Sequence, residues 1–356
     1  MNDPETHHRV VESLLEWFDS RNRDVPSRGS ADPYVILVAE VMAQQTRIAT
    51  VRPYFRKFLE LFPTVEALAD AEIDQVLKAW EGLGYYARAE NLHKTAKLVV
   101  SQHRGSIPSD VEALRALPGI GPYTAGALAS IAFGQPEPAL DGNTRRVLAR
   151  LFDLEKPKAR ELENTARELL AMSPHHPGAL NQALMDVGST ICLPRHPTCE
   201  QCPLNDPCLA RARNTVADRP APKPLPQKPD RHAAAAVIRK DGLLFLWKRP
   251  TGGLLGGLWD FPHVAIENPK EAVAALESTI KSEWGLSISV GKKLQSVRHV
   301  FSHFRLQLEM HEARWEGGAP QHKDLWQWAR IEDLPNLAFP VAQHPLISDL
   351  VETRRS

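Results

Sequence analysis

The first two thirds of the chain carry apolar residues at helical spacing, whereas the last third carries them in short runs that are typical of strands. An amphipathic first helix is predicted over residues 10–18. A second helix is predicted to begin at Asp32-Pro33, a capping side chain followed by proline, and to run to Thr46. Further helical patterns cover residues 55–80 and 159–186. The sequence therefore predicts a mainly α-helical first domain.

The composition changes at residues 211–230, where prolines alternate with Lys, Ala and Arg, as is typical of a semi-rigid linker. Beyond it, two apolar runs flank Asp241-Gly242, which favours a tight hairpin. These runs and the elements that follow are strands at 233–238 and 243–247, a glycine-rich loop at 252–261, a helix at 270–283 and strands around 300–304. Since 356 residues exceed the usual size of one domain, we expect a helical domain at 1–210 and an α+β domain at 231–356.

Net charge gives no argument for binding to nucleic acid, because the chain has 43 basic and 43 acidic side chains. Any contact with DNA phosphates must depend on local groups. The first ten residues are polar, unlike a signal peptide, and no apolar run is long enough to cross a membrane. We therefore expect a soluble, cytoplasmic protein without a membrane partner.

Residues 117–126 read Leu-Pro-Gly-Ile-Gly-Pro-Tyr-Thr-Ala-Gly and place two glycines before a helix that begins at proline. Gly119 and Gly121 allow a tight turn whose bare backbone can approach a phosphate, and the amides of the following helix would face that anion. A carboxylate, Asp141, follows in Leu-Asp-Gly-Asn-Thr. Gly-x-Gly alone is also a common turn, and Asp141 could simply cap the next helix. The two motifs in this order favour a functional site.

Glu40 lies within the second predicted helix, and its neighbours one turn away, such as Ile36 and Gln44, include no cation. Burial of such a carboxyl would raise its pKa and favour the protonated form that a general acid needs near neutral pH. A solvent-facing Glu at the edge of a helix is the alternative, since most Glu side chains are exposed.

All 4 cysteines fall in one segment, with the spacing Cys192-x6-Cys199-x2-Cys202-x5-Cys208. A reducing cytoplasm disfavours disulfides, so a metal centre is the better interpretation. Zinc sites usually show two short Cys-x-x-Cys pairs, which this irregular spacing lacks. A zinc loop stays open as the alternative.

The hairpin and Asp141 resemble the signature of the helix-hairpin-helix DNA glycosylases, in which the hairpin grips the DNA backbone and the Asp serves the glycosidic carbon. Residues 40–46 read Glu-Val-Met-Ala-Gln-Gln-Thr, which is similar to the Glu-Val-Met-Leu-Gln-Gln-Thr element of the MutY-type adenine DNA glycosylases. The resemblance implies that Glu40 is the catalytic acid. It also implies that Gln45 and Thr46 lie against the base opposite the adenine.

The chain departs from this family at two positions of the expected adenine pocket. Ala43 replaces the family's Leu, and Ser27, in Val-Pro-Ser-Arg, stands where the family usually has Trp. Both changes remove bulk, so the pocket is expected to differ in shape.

Residues 82–89 read Gly-Leu-Gly-Tyr-Tyr-Ala-Arg-Ala, a glycine-flanked loop with a bulky tip that suits insertion into a base stack. We call residues 82–88 the wedge loop. A tyrosine pair packed in the core is equally consistent with the residues. In the family the same run lies beside 8-oxoguanine, which implies contacts by Leu83 and Tyr85.

Three further roles are implied by the resemblance. Tyr123 stands where the related endonuclease III, a lyase, has its Schiff-base Lys, so hydrolysis without strand cleavage is expected. Asn143 and Tyr123 would orient the catalytic groups. Gln182 would face the flipped adenine, although a Gln on a helix is more often plain polar surface.

The second domain resembles the Nudix-like, MutT-related carboxy-terminal domain of the same family. Its Phe301-Ser302-His303 matches the element that inspects 8-oxoguanine. Where a Nudix hydrolase has Arg-Glu-x-x-Glu-Glu-x-Gly, residues 278–285 read Ser-Thr-Ile-Lys-Ser-Glu-Trp-Gly and keep one metal-binding carboxylate. Because hard cations need several oxygen ligands, recognition rather than pyrophosphate hydrolysis is expected.

We therefore expect a monomeric adenine DNA glycosylase that acts on double-stranded DNA with adenine opposite 8-oxoguanine or guanine. The expected fold is a mainly α helix-hairpin-helix domain with an iron-sulfur loop at 192–208, joined to an α+β Nudix-like domain. By resemblance, the [4Fe-4S] ligands are Cys192, Cys199, Cys202 and Cys208. Two alternatives stay open. One is an endonuclease III-like lyase, against which Tyr123 argues, and the other is an inactive lesion-binding protein, which the altered pocket allows.

Overall fold

The computed structural model describes residues 4–21, 23–222, 227–320 and 325–355. Residues 223–226 of the predicted linker lie outside the described residues. The helices are α1 (Pro4–Asp19), α2 (Pro33–Ala43), α3 (Ile48–Leu61), α4 (Val65–Asp70), α5 (Ile73–Trp80), α6 (Ala87–His103), α7 (Val111–Arg115), α8 (Pro122–Ile131), α9 (Gly142–Leu151), α10 (Ala159–Ala171), α11 (Pro177–Thr190), α12 (Leu209–Ala212), α13 (Ala272–Thr279) and α14 (His344–Arg355). The strands are β1 (Asp230–Lys240), β2 (Leu243–Lys248), β3 (Trp259–Asp260), β4 (His263–Ile266), β5 (Leu286–Val300), β6 (Arg305–Gly318) and β7 (Trp326–Ala329).

The chain divides into two compact units. The first consists of Met1–Asp70 and Asn91–Pro224, and the second of Ala71–Glu90 and Leu225–Ser356. Helix α5 and the whole wedge loop therefore belong to the second unit, although they precede the linker in sequence. Domain boundaries at 210 and 231 give no hint of this, because the composition around residues 71–90 is that of an ordinary helical segment.

The helices of the first unit form largely where the sequence predicts them. Asp32 caps α2 by accepting a hydrogen bond from the amide of Tyr34, and Pro33 occupies the first turn. The helix ends at Ala43 rather than at Thr46, because Gln44 leaves the helical region with a ψ of 116° and Gln45 then adopts a positive φ of 57°. One apolar core of this unit is formed by buried side chains of α1, α9, α10 and α11. Among the described residues, no helix combines the length and apolarity needed to cross a membrane.

The second unit contains a mixed sheet in the order β3-β2-β1-β6-β5, in which β4 also pairs with β1 and β7 with β2. Strands β1 and β6 are parallel, and the other pairs are antiparallel. The predicted hairpin is confirmed: Asp241 and Gly242 both have positive φ, at 49° and 79°.

Alternate residues of β1 supply two cores, one on each face of the sheet. Ala233, Ala235 and Val237 pack with side chains of α14, whereas Ala234 and Ala236 pack with side chains of α13. The predicted helix at 270–283 is α13 followed by a π-helical turn, which ends at a left-handed glycine. The mainly α and α+β fold classes are thus confirmed.

Candidate active site and DNA-contacting surfaces

Glu40 lies on α2, whose other side chains are mostly buried. Its Oε2 accepts a hydrogen bond of 2.7 Å from the hydroxyl of Tyr123. Burial raises the pKa of the Glu40 carboxyl, the hydrogen bond from Tyr123 opposes this, and the negative charge of Asp141 adds to it. The net shift is upward, as the sequence predicted. It favours a carboxyl that retains its proton near neutral pH.

Tyr123 is the second residue of α8, which begins at Pro122 with Gly121 as its N-cap. The side chain reaches Glu40 from 83 residues further along the chain. Burial, together with the negative charge of Glu40, raises the pKa of the Tyr123 phenol well above its usual value. The phenol therefore stays protonated and acts as a hydrogen-bond donor to the carboxyl.

The hairpin between α7 and α8 turns its apolar residues inward and its glycines outward. Leu117 and Ile120 are buried, whereas Gly119 and Gly121 are exposed. Gly119 has a φ of +75°, and a Cβ there would lie 2.8 Å from Asn91. Nothing lies within 4 Å of a Cβ at Gly121. The turn thus presents open backbone on its outer side, as contact with a phosphate requires.

Asp141 is the N-cap of α9, as the capping alternative predicted, and its position in the site does not conflict with this role. Its Oδ1 accepts from the amides of Asn143 and Thr144, at 2.8 and 2.7 Å, and from the hydroxyl of Thr144 at 3.0 Å. Its Oδ2 accepts from Nδ2 of Asn143 at 2.9 Å. Three donors thus fix Oδ1, while Oδ2 has a single donor among the described residues and retains lone-pair capacity.

Arg146 links this carboxylate to the cysteine segment and was not singled out from the sequence. Its guanidinium donates to Oδ1 of Asn143 at 3.0 Å and to the carbonyl of Gly188 at 2.7 Å. It also donates to the carbonyl of Cys192 at 2.8 Å. A Cβ on Gly188 would lie 2.8 Å from Asn143, so α11 packs directly against the start of α9. Asn143 is therefore held between Asp141 and a fixed arginine.

Sequence reasoning also missed a charged group at the expected adenine pocket. Asp186 is buried and accepts hydrogen bonds from Arg23 and, at 2.6 Å, from Arg28. The charge of Arg28 in turn lowers the pKa of Glu40, against the effect of burial. From the sequence, Arg28 was noted only as the residue after Ser27 in Val-Pro-Ser-Arg, and Ser27 is buried. Asp186 lies more than 150 residues from both arginines, so no local sequence signal marks the pairing.

The residues expected to touch bases in the first unit differ in accessibility. Gln45 is exposed and Thr46 is partly buried in the turn after α2. Gln182 is partly buried on α11, where its Nε2 donates to the carbonyl of Gly178 at 3.2 Å. Their contacts with DNA stay predictions.

In the second unit, the wedge loop exposes one of its two expected contact residues. Tyr85 is 38% exposed, whereas Leu83 is 5% exposed. The contact predicted for Leu83 stays a prediction, and Tyr85 is the one whose side chain is accessible in this conformation. Its hydroxyl lies 2.7 Å from the hydroxyl of Ser302, 217 residues away. The wedge loop and the predicted lesion-inspecting element therefore meet within one unit.

The Phe301-Ser302-His303 element forms the turn between β5 and β6. Ser302 and His303 are exposed, and Phe301 is partly buried. The Phe301 ring stacks on Phe304 with a centroid distance of 4.6 Å, and its edge meets His299 at 4.6 Å. The polar side chains of Ser302 and His303 are thus exposed to solvent next to a cluster of packed aromatic rings.

The four cysteines line one cavity together with Arg150 and Leu204. Burial raises the pKa of the Cys202 thiol to about 12, and the other three cysteines add to this shift, which puts all four within electrostatic reach of one another. A guanidinium nitrogen of Arg150 lies 3.4 Å from the sulfur of Cys192 and donates to the carbonyl of Leu193 at 2.7 Å. Within the part of the chain that is described, no group of three or more His, Cys, Asp or Glu is placed to hold a single metal ion.

Two families of known proteins match this chain. Residues 38–172 match the model of the HhH-GPD superfamily base excision DNA repair protein, and residues 233–349 match that of the NUDIX domain. The chain is 34% identical over 370 residues to the adenine DNA glycosylase of Homo sapiens, covering 86% of this chain and 67% of that one. It is 31% identical over 309 residues to the adenine DNA glycosylase of Buchnera aphidicola subsp. Acyrthosiphon pisum, covering 85% of this chain and 86% of that one.

Solved structures agree with the helical fold. A thermostable thymine-DNA glycosylase superposes with a TM-score of 0.54 and 28% identity, covering 59% of this chain and 98% of that one. Endonuclease III in a non-covalent complex with DNA superposes with a TM-score of 0.52 and 23% identity, over 60% of this chain and 99% of that one, a likeness of fold. With a relative above 30% identity that is covered over more than two thirds of its length, the chain belongs to the adenine DNA glycosylase family.

Proposed function

We propose that this protein hydrolyses the N-glycosidic bond of adenine in DNA, and that the adenine it removes lies opposite 8-oxoguanine or guanine. The observation that carries the chemistry is the 2.7 Å hydrogen bond from Tyr123 to Glu40, within electrostatic reach of the Asp141 carboxylate that caps α9. These groups pair a proton donor with a carboxylate, which is the combination that cleavage of a glycosidic bond requires.

Glu40 acts first as an acid. The adenine must leave the base stack to reach it, as for other enzymes that act on a base in DNA. A protonated Glu40 then donates its proton to a ring nitrogen, which lets the base leave as a neutral molecule. After departure of the base, the Glu40 carboxylate accepts a proton from the attacking water, so the residue returns to its starting state.

Asp141 acts on the sugar. Positive charge develops on the sugar ring as the bond breaks, and a carboxylate stabilises it or bonds to it covalently. Oδ2 is the oxygen suited to this task, because Oδ1 is occupied by donors of α9. Asn143 keeps Oδ2 oriented through a bond of 2.9 Å. No amine stands at Tyr123 to form a Schiff base, which supports hydrolysis without strand cleavage.

Reading of the opposite base is assigned to the second unit. The exposed pair of Tyr85 and Ser302 combines a ring that can enter the stack with hydroxyls that can bond to a lesion. His303 is exposed beside it and adds a further polar group. The loss of one hydrogen bond to a lesion corresponds to about 1 to 3 kcal/mol of discrimination.

The cysteine segment is proposed to bind a [4Fe-4S] cluster. Its four thiols line a common cavity, and a buried arginine contacts one of the sulfurs, which suits the negative charge of a thiolate-bound cluster. Cys192, Cys199, Cys202 and Cys208 would hold it. When bound, the cluster would join the loop through iron-thiolate bonds and stabilise its fold.

A single-turnover assay tests the activity. We expect release of adenine from a duplex with adenine opposite 8-oxoguanine, and strand breakage only after alkali. Breakage without alkali would indicate a lyase, and duplex binding without release would indicate an inactive binder.

Lesion reading is tested in the full-length protein, since truncation at residue 231 would also remove packing partners of residues 71–90. Ser302→Ala should lower the ratio of excision rates for 8-oxoguanine over guanine by about five-fold or more. Ser296→Ala, an exposed serine of β5, is the matched control. An unchanged ratio in Ser302→Ala would contradict the assignment.

Metal content tests the cluster. Protein prepared without oxygen should contain about four irons per chain and show broad visible absorbance. Cys199→Ser should lose iron. Stoichiometric zinc in place of iron would overturn the proposal.

A further inference from the structure

Glu81 is the last residue before the wedge loop and belongs to the second unit. Its carboxylate accepts hydrogen bonds from the ammonium of Lys78, from the backbone amide of Phe339 at 2.7 Å and from the imidazole of His344 at 3.2 Å. The Glu81 side chain is 14% exposed, and Phe339 is buried in the core on one face of the sheet. Glu81 therefore joins the end of α5 to a fixed part of this unit.

A second contact runs parallel to the first. The ammonium of Lys78 also donates to the carbonyl of Leu337 at 2.9 Å. The neighbouring carbonyl of Ala338 accepts from the amide of Trp259 at 2.9 Å, which ties the segment to the sheet. The segment 337–344 is thus held by the sheet without help from α5, so its contacts with Lys78 and Glu81 fix the position of the end of α5.

The wedge loop follows Glu81 directly and has little freedom of its own. Gly84 and Tyr85 have positive φ, at 77° and 50°. The carbonyl of Gly84 accepts from the indole of Trp80 and from the guanidinium of Arg88, each at 3.1 Å. Because the loop is internally bonded, a displacement at its first residue would be carried to Tyr85 and change its separation from Ser302.

We propose that Glu81 is a positioning residue for reading the opposite base: its carboxylate sets the start of the wedge loop and thereby holds the Tyr85 hydroxyl against Ser302. This inference rests on the proposed function of the Tyr85-Ser302 pair. Nothing in it requires Glu81 to touch DNA.

The state of the carboxyl agrees with this role. Burial alone would raise the pKa of Glu81, but hydrogen bonds from His344, Lys78 and the Phe339 amide hold it below its usual value. The Glu81 carboxyl is therefore ionised at neutral pH and can accept all three hydrogen bonds.

The test uses the full-length protein with Glu81→Ala, Glu81→Gln and the control Glu60→Ala, which removes an exposed glutamate of α3. Each variant is also combined with Ser302→Ala. Single-turnover excision rates are measured opposite 8-oxoguanine and opposite guanine. Glu81→Ala should lower the ratio of the two rates by about five-fold or more, whereas Glu81→Gln, which still accepts from the Phe339 amide, should lower it less.

The double variants identify the route. If Glu81 acts through Ser302, then Glu81→Ala should add little to the effect of Ser302→Ala on the ratio. Additive effects would overturn the proposal, and so would an equal loss of both rates, because that pattern indicates general destabilisation.

A second measurement does not depend on the lesion. The chain has 5 tyrosines, so protein labelled with 3-fluorotyrosine should give an interpretable ¹⁹F spectrum, with Tyr85→Phe identifying the relevant resonance. Glu81→Ala should move that resonance as Ser302→Ala does, and Glu60→Ala should not. An unmoved resonance would refute the positioning role even if the rate ratio changed. A parent protein with equal rates on both duplexes would refute lesion reading itself, and with it the role of Glu81.

Discussion

Two partly buried glutamates, one in each unit, have pKa values shifted in opposite directions. Burial dominates at Glu40, which receives one neutral hydrogen bond from Tyr123 and feels the negative charge of Asp141, so its pKa rises. Burial acts in the same direction at Glu81, but donors from His344, Lys78 and the backbone overcome it, so its pKa falls. The comparison shows that the number and charge of the donors, more than burial itself, decide whether a glutamate becomes an acid or an anchor.

Asp141 lies between these two cases. It has several donors, like Glu81, but they come from the start of its own helix and concentrate on one oxygen. The other oxygen is held by Asn143 alone among the described residues. Because Oδ1 and Oδ2 have different donors, one oxygen can cap the helix while the other is available to the sugar.

The largest expected effect comes from removing the acid. Glu40→Gln should lower adenine excision by about 10² to 10⁴-fold, because the carboxamide cannot donate a proton to the base. Affinity for the duplex in a gel-shift assay should change little, since the shape and one acceptor are kept. Glu60→Gln, on an exposed face of α3, is the control. Excision near the parent rate would contradict the role of Glu40.

A loss of about 10²-fold or more is expected for Asp141→Asn, because the charge that stabilises the sugar cation is removed while an Asn can still cap α9. The melting temperature should therefore fall much less than the rate. Asp32→Asn changes the N-cap of α2 in the same way and serves as the control. If both variants lost activity equally, capping rather than charge would explain the effect.

A smaller change, in pH dependence, is expected for Tyr123→Phe. The Tyr123 hydroxyl lowers the pKa of Glu40, so its removal should raise that pKa further. Because the protonated form is active, the decline of the excision rate at alkaline pH should then move to higher pH. The control is Tyr34→Phe, which removes a hydroxyl from α2, the helix of Glu40, where it donates to the carbonyl of Phe62. This change should not move the pH dependence. A movement toward lower pH would show that the Tyr123 hydroxyl does not lower the pKa of Glu40.

The smallest effects, a few degrees in melting temperature, provide the most direct check of the comparison. For Glu40, with a raised pKa in the folded state, stability is highest at low pH and falls as pH rises through that pKa. Glu40→Gln should therefore be more stable than the parent at pH 8, by a margin that narrows toward pH 5.

Glu81→Gln should behave in the opposite way. The folded-state pKa of Glu81 is lowered, so its contribution to stability is present above the unfolded value and is lost as pH falls through the folded value. This variant should be less stable than the parent at pH 8. The measurement is the melting temperature of both variants at several pH values. If Glu40→Gln and Glu81→Gln changed the melting temperature at pH 8 in the same direction, the contrast between the two glutamates would be wrong.

Local patterns in the sequence were sufficient to predict much of the fold, and together with the family resemblance they identified the candidate site residues. Several of these patterns depend only on neighbouring residues and therefore follow from the sequence alone: helix periodicity, the Asp32-Pro33 start, the hairpin at Asp241-Gly242 and the cysteine spacing. The same holds for Glu40, whose apolar helical context predicted its raised pKa. The end of α2 was misplaced, because nothing in the residues marks the left-handed turn at Gln45.

Only the tertiary structure decided which distant groups meet. The bond from Tyr123 to Glu40 spans 83 residues, the pairing of Arg28 with Asp186 spans 158, and the contact of Tyr85 with Ser302 spans 217. It also assigned residues 71–90 to the unit that follows the linker. Whether two distant side chains pair depends on how whole helices and strands pack. Because the partners are far apart in sequence, their contact produces no local motif and no periodic pattern. The sequence by itself therefore determined the fold classes and the candidate residues, and the tertiary structure determined which partners shift the pKa of Glu40 and contact Tyr85.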